Sequence, residues 1–98
     1  MQRIKLVVLI CEEALAPLLE PELLALGAKG YTITEVRGRG NRGERDARWA
    51  LSGNIRVEIL CNAQTAERIL TKVDERFCAN FGLVSYALDV EAQRAEKY

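Results

Sequence analysis

The sequence predicts an α+β sandwich with its elements in the order β-α-β-β-α-β, and three observations lead there. Four short runs rich in β-branched residues are spaced along 98 residues. Stretches with apolar residues at helical spacing lie between the first and second runs and between the third and fourth. The second and third runs are joined by "RGRGNRGER", residues 37–45, which has four arginines, three glycines and no apolar period. The length fits one domain, which buries roughly two thirds of the surface its unfolded chain exposes.

Arg3 to Ile10 is apolar on both faces apart from Lys5, as suits a central strand covered on at least one side. From Glu13 to Leu26 the leucines at 15, 18, 19, 23 and 26 recur at helical spacing, and Gly27 supplies the stop. Pro17 suits a first helical turn, whereas Pro21 removes a backbone donor and predicts a bend or a delayed start. Tyr31 to Val36 is rich in β-formers. Asn54 to Leu60 alternates, with Ile55, Val57 and Ile59 on one face and Arg56 and Glu58 on the other. Asn62 is placed to cap a helix reaching about Ala79, whose stripe is Ala66, Ile69, Leu70, Val73 and Phe77. Leu83 to Val90 alternates again, with Val84, Tyr86, Leu88 and Val90 expected inward, and residues 91–98 form a charged tail. This order is that of the ferredoxin-like split βαβ sandwich, a four-stranded antiparallel sheet with two helices on one face. Right-handed crossovers should set the first and third strands side by side at its centre, and that pair is read as parallel. The other face of the sheet would lie bare in a monomer, so its apolar residues predict cover by another subunit.

Lysines plus arginines equal aspartates plus glutamates at 14 each, so net charge selects no class of partner. The distribution is more informative: residues 37–53 carry five arginines against Glu44 and Asp46, leaving the rest of the chain acidic. No apolar run reaches the roughly 20 residues of a membrane-spanning helix, and "IKLVVLIC" leads into Glu12 and Glu13 without a cleavage pattern. A cytoplasmic protein without membrane insertion is expected. Three cysteines without C-x-x-C spacing argue against a disulfide scaffold and a zinc site. Cys11 and Cys61 each follow a strand read as central and parallel, so a redox-sensitive bridge between them is one reading, set against the rule that cytosolic thiols usually stay reduced. The absence of histidine removes the commonest general base, and no catalytic constellation is visible; the chain reads as a non-enzyme.

Gly38 to Gly43 matches G-x-G-x-x-G after a predicted strand, but "ERDARWALSG" is too short for the ordinary helix a dinucleotide fold requires. Glycines at alternate positions still permit a concave nest of backbone N–H groups, and arginines add forked donors matched to phosphate or carboxylate oxygens. An oxyanion is the natural guest; a solvated loop without ligand is the alternative. Single-stranded RNA binding on this fold uses aromatic residues on the central strands, and "RIKLVVLI" and "NIRVEIL" have none. Acylphosphatase-like chemistry would need an anion-binding arginine after the first strand, where "CEEALAP" stands. Trp49, beside Arg48, is a candidate anchor for a partner protein.

"GAKGYTITEVRGRGNRG" resembles the strand and loop entry of the PII signalling family, in which G-x-T-V-x-E-V-x-G-x-G precedes a long T-loop. Gly30, Thr32, Glu35, Val36, Gly38 and Gly40 match in place, and the element order agrees over nearly the whole chain. The loop, residues 38–53, is short and lacks tyrosine; only Asn80-Phe81-Gly82 stands at the B-loop position, and Arg94 and Lys97 are out of register with the family's phosphate-binding residues. This shorter pattern is similar to the PII-like proteins of inorganic-carbon uptake, including the carboxysome-associated PII protein. The resemblance implies a single PII-like domain over 1–98, a homotrimer, and an adenine nucleotide in the intersubunit clefts. ADP or AMP is expected, with ATP a further candidate and bicarbonate a candidate second ligand. It implies Thr32, Gly38 and Gly40 against base and sugar, Leu60 on adenine, Phe81 and Gly82 in close approach, Arg42 and Arg45 on the phosphates, and Arg39 and Asn41 completing the set. Gly40 and Asn41 would receive bicarbonate, while Arg48 and Trp49 would meet a target protein such as a transporter or carboxysome component. No nucleic-acid partner and no metal are implied. The alternative is a ferredoxin-like trimeric interaction module whose basic loop binds a protein or RNA without a small ligand.

Overall fold

The computed structural model describes residues 2–38, 53–78 and 82–98. Strand β1 (Gln2–Glu12) leads through a 3-10 turn (Glu13–Leu15) into α1 (Ala16–Ala25). Strands β2 (Thr32–Val36) and β3 (Asn54–Cys61) flank the Arg/Gly segment. Helix α2 (Ala63–Val73) continues as a π turn (Asp74–Cys78), and β4 (Val84–Ala92) precedes a terminal 3-10 turn (Ala95–Lys97). The sheet order is β2-β3-β1-β4, the ferredoxin-like arrangement the element order predicts.

Two expectations about strand direction and facing are corrected. The central pair β1 and β3 is antiparallel, with Leu6 opposite Leu60 and Cys11 opposite Ile55; in the split βαβ unit the parallel partner of β1 is β2, one strand further out. Cys61 therefore faces Lys5, six positions along β3 from the partner of Cys11. At about 3.3 Å per residue the two thiols stand roughly 20 Å apart, beyond the reach of a disulfide. On β4, Val84, Tyr86 and Leu88 point away from the helices and are 44%, 41% and 43% exposed. Cross-strand pairing sets Val84, Tyr86, Leu88 and Val90 beside Ile10, Val8, Leu6 and Ile4. They form an apolar band on the open face of the sheet.

The core lies between the sheet and the helices. Val7, Leu9 and Cys11 of β1 and Ile55, Val57, Ile59 and Cys61 of β3 meet Leu15, Leu19 and Leu23 from the first helical segment and Ala66, Ile69, Val73 and Phe77 from the second. Each fully buried aliphatic side chain contributes roughly 1.5–3 kcal/mol of transfer free energy. The helix start is delayed, as the prolines suggest: Pro17 occupies the first turn, and Pro21 sits inside a helix that nonetheless continues to Ala25. A Schellman pair ends it, with Ala28 N donating to Leu23 O at 3.0 Å and Gly27 N to Leu24 O at 3.1 Å, around Gly27 at φ +113°. Helix α2 is capped by Asn62, whose Oδ1 accepts from Thr65 N at 2.8 Å. The chain beyond β4 is no free tail: residues 91 and 92 extend the strand, Arg94 turns the backbone at φ 54°, and Ala95 is buried. Among the described residues no helix is long and apolar enough to cross a membrane.

Candidate functional site

A groove of about 550 Å³ opens on the uncovered side of the sheet, where four segments distant in sequence converge. Leu6 of β1, Leu60 of β3 and Val90 of β4 give it an apolar floor; Lys29 to Thr32 form one wall, and Lys97 and Tyr98 close the other side. Leu60 is opposite Leu6, and Thr32 opposite Glu58. Leu60 is half-buried on this open face and stands outside the core between sheet and helices.

The wall is held in place by bonds behind it. The Tyr31 hydroxyl donates to the Glu20 carboxylate of α1, which raises the phenol pKa through that bond, partial desolvation and the carboxylate charge. Glu58 is engaged by Arg56, whose Nε lies 2.8 Å from Oε2, so one acid of the groove is already neutralised by its neighbour. Lys29 and Lys97 have no ion pair among the described residues. Glu91 also lines the groove, so its rim carries charges of both signs, with Lys29 and Lys97 as the cations that an anionic substituent on a flat heterocycle lying on the apolar floor could reach.

The expected site residues do not all gather here. Thr32 and Leu60 line the groove. Gly38 is six residues from Thr32, beyond the far end of β2, roughly 20 Å away at strand spacing. Gly82 is at that same far end, because it leads into Val84, the partner of Ile10, and takes φ +65°. A second hollow lies there, lined by Glu13, Glu35, Val36, Arg37, Gly53 and Asn54. In it Glu13 N donates to Gly53 O at 3.2 Å, and the buried Asn54 Oδ1 has no hydrogen-bond partner among the described residues. A Cβ on Gly38 would meet no described atom within 4 Å, and its backbone is outside the positive-φ region. Nothing within its own described chain requires a glycine there. Arg39, Gly40, Asn41, Arg42, Arg45, Arg48, Trp49 and Phe81 lie outside the described residues.

The sequence alone does not single out Lys29, Glu58, Val90 or Tyr98 as groove residues, and it places Lys97 out of register. No spacing signal in the sequence brings them together, since the strand order and the folded-back terminus do so. Among the described residues there is no cluster of metal-ligating side chains.

The sequence profile described as nitrogen regulatory protein P-II matches residues 4–97 of this chain. The chain belongs to the P-II family. Its members are signalling regulators. No curated protein sequence matches significantly. Among solved structures, a PII-like signalling protein of Thermus thermophilus is 36% identical, with 100% of this chain and 99% of that one covered at a TM-score of 0.82. CPII of Thiomonas intermedia, bound to ADP and bicarbonate, is 23% identical, covers 98% and 94%, and superposes with a TM-score of 0.83. The B. subtilis GlnK–ATP complex is 14% identical over 90% and 82%, with a TM-score of 0.67. The last two likenesses establish the P-II fold.

Proposed function

We propose that this protein is a cytoplasmic, non-enzymatic PII-type regulator that binds ADP or AMP, with ATP as a weaker candidate, in clefts between the protomers of a homotrimer. Bicarbonate is the second ligand, and residues 38–53 relay occupancy to a target protein of inorganic-carbon metabolism. The observation that carries this reading is the separation of the matching residues. Thr32 and Leu60 line a groove at one end of the sheet, while Gly38 and Gly82 lie at the other end, so they can share a ligand only across two copies of the chain.

The chemistry of each half supports the same guest. Adenine would lie on Leu6 and Leu60 against Thr32, and Lys29 and Lys97 would supply cations to its phosphates. Arg39, Arg42 and Arg45 of the neighbouring protomer would add forked donors, with Gly38, Gly40, Asn41, Phe81 and Gly82 closing over the ligand. Bicarbonate is assigned to Gly40 and Asn41, and the target-protein contact to Arg48 and Trp49. The apolar band of β1 and β4 is the surface the protomers would bury. The ADP and bicarbonate held by the Thiomonas CPII structure support this choice of ligands. Ordering of the loop by ligand is the coupling that would make the protein a signal rather than a store.

Titration calorimetry with ADP, AMP and ATP, each with and without bicarbonate, tests this. Saturable heats with at least one adenylate, weakened about tenfold or more by Leu60→Arg (about 1.4 kcal/mol), are expected. Absence of heat with all three would leave only the interaction-module alternative.

A further inference from the structure

We propose that the outward face of α1 is a docking surface for a basic, apolar-faced helix of another protein. Every exposed position from Ala14 to Ala25 is apolar: Ala14, Pro17, Leu18, Pro21, Leu24 and Ala25. Leu18 and Leu24 are 56% and 53% exposed. At 3.6 residues per turn these six positions share one arc of the helix, opposite the buried Leu15, Leu19 and Leu23.

Helix α2, packed in the same layer, shows what the fold itself asks of such a face. Its exposed positions include Gln64, Glu67, Arg68 and Thr71, the ordinary polar surface of an amphipathic helix. Location in the layer therefore does not account for the apolar arc of α1. The core does not account for it either, since none of the six residues belongs to the buried cluster. Pro21 sharpens the point: an interior proline weakens a helix, and its exposed ring gives the core nothing in return. A contiguous exposed apolar arc is the mark of an interaction surface.

Charge selects the occupant. The arc is bordered by Glu20 on one side and Glu22 on the other, with Glu12 and Glu13 at its N-terminal end, and no lysine or arginine occurs from Leu6 to Ala28. Glu20 accepts from the uncharged Tyr31 hydroxyl and keeps its charge, whereas Glu22 is paired with Arg76 at 3.1 Å, so the acidic character of the arc comes from Glu20 on one border and Glu12 and Glu13 at its N-terminal end. A second copy of this face would set glutamates against glutamates, and an anionic bilayer would be repelled. A helix with lysines or arginines flanking an apolar stripe meets both features, and the small residues Ala14 and Ala25 allow close approach. The surface is on the opposite side of the sheet from the groove, so it is separable from nucleotide binding.

The test pans a display library of helical peptides against the 98-residue chain, then titrates labelled peptides by fluorescence anisotropy against wild type and the Leu18→Gln/Leu24→Gln double variant. Selected peptides should pair an apolar stripe with flanking Lys or Arg, and the double variant should bind them roughly tenfold or more weakly, with melting temperature and adenylate heats unchanged. The proposal is overturned if no peptide is selected, if the selected peptides bind the variant equally, or if their flanks are acidic. Binding of phosphatidylserine vesicles in place of peptides, or self-association abolished by the double variant, overturns it equally.

Discussion

Replacing Leu88 by aspartate should dissolve the proposed trimer while a neighbouring substitution leaves it intact. Leu88 pairs with Leu6 on the open face and keeps 43% of its surface accessible in the single chain. Full burial of a leucine side chain is worth roughly 1.5–3 kcal/mol, so covering the remainder contributes about 1 kcal/mol per protomer. Aspartate forfeits that and leaves a carboxylate against apolar neighbours, at a further cost of about 2 kcal/mol or more. The total of roughly 3 kcal/mol applies to every protomer, and each 1.4 kcal/mol is about a tenfold change in an equilibrium constant. Sedimentation velocity at micromolar concentration should show wild type as a trimer and Leu88→Asp as a slower species. Ala87→Asp is the control: its side chain is exposed on the opposite face of the same strand, and the trimer should persist. A wild type that sediments as a monomer, or a Leu88→Asp variant indistinguishable from it, would refute the burial of this face.

Lys5 Nζ lies 2.7 Å from Asp89, and that hydrogen bond and charge lower the Asp89 pKa. Folding therefore depresses the acid: the pair's contribution is present above the ordinary carboxylate range and disappears as pH falls through the folded value. Melting curves of wild type and Asp89→Asn should differ slightly at neutral pH, with wild type higher, and converge in acid. Gly27→Ala should cost about 1–3 kcal/mol in chemical denaturation, because φ is +113° and the new Cβ would stand 3.1 Å from Arg68 Nη2. Burial, aided by Glu12, pushes the Cys11 thiol up to about 11, and burial raises Cys61 against the opposing charge of Arg68. The half-buried Cys78 should accordingly react first with thiol reagents, and mass spectrometry after oxidation should find no Cys11–Cys61 bridge.

The fold was legible where local chemistry decides it. Asn62 and Gly27 announce helix ends by residue type, and the strict alternation of Ile55, Val57 and Ile59 identifies a strand whose apolar face meets the helices. Alternation on β4 was equally visible, yet it tells only that two faces differ. Val84, Tyr86, Leu88 and Val90 are the more apolar half, and the folded chain turns them to the open face because Ile4, Leu6, Val8 and Ile10 are their register partners. The central pair is antiparallel rather than parallel because crossover handedness constrains β1 with β2 and not with β3. Of the candidate site, Thr32 and Leu60 could be found from the strand motif. Lys29, Glu58, Lys97 and Tyr98 could not, since only the sheet order and the turn at Arg94 bring them to one groove.

The most direct measurement is an ADP titration of mixed oligomers. Leu60→Arg alters the groove, whereas Gly38→Val alters the far end of the sheet at a position where an added side chain meets no described atom. Each variant alone should bind ADP about tenfold or more weakly than wild type, and co-refolded mixtures should recover part of the wild-type binding, because some clefts then join an intact Leu60 half to an intact Gly38 half. A mixture that binds as weakly as its components, or a Gly38→Val protein that binds like wild type, would contradict a site shared between protomers.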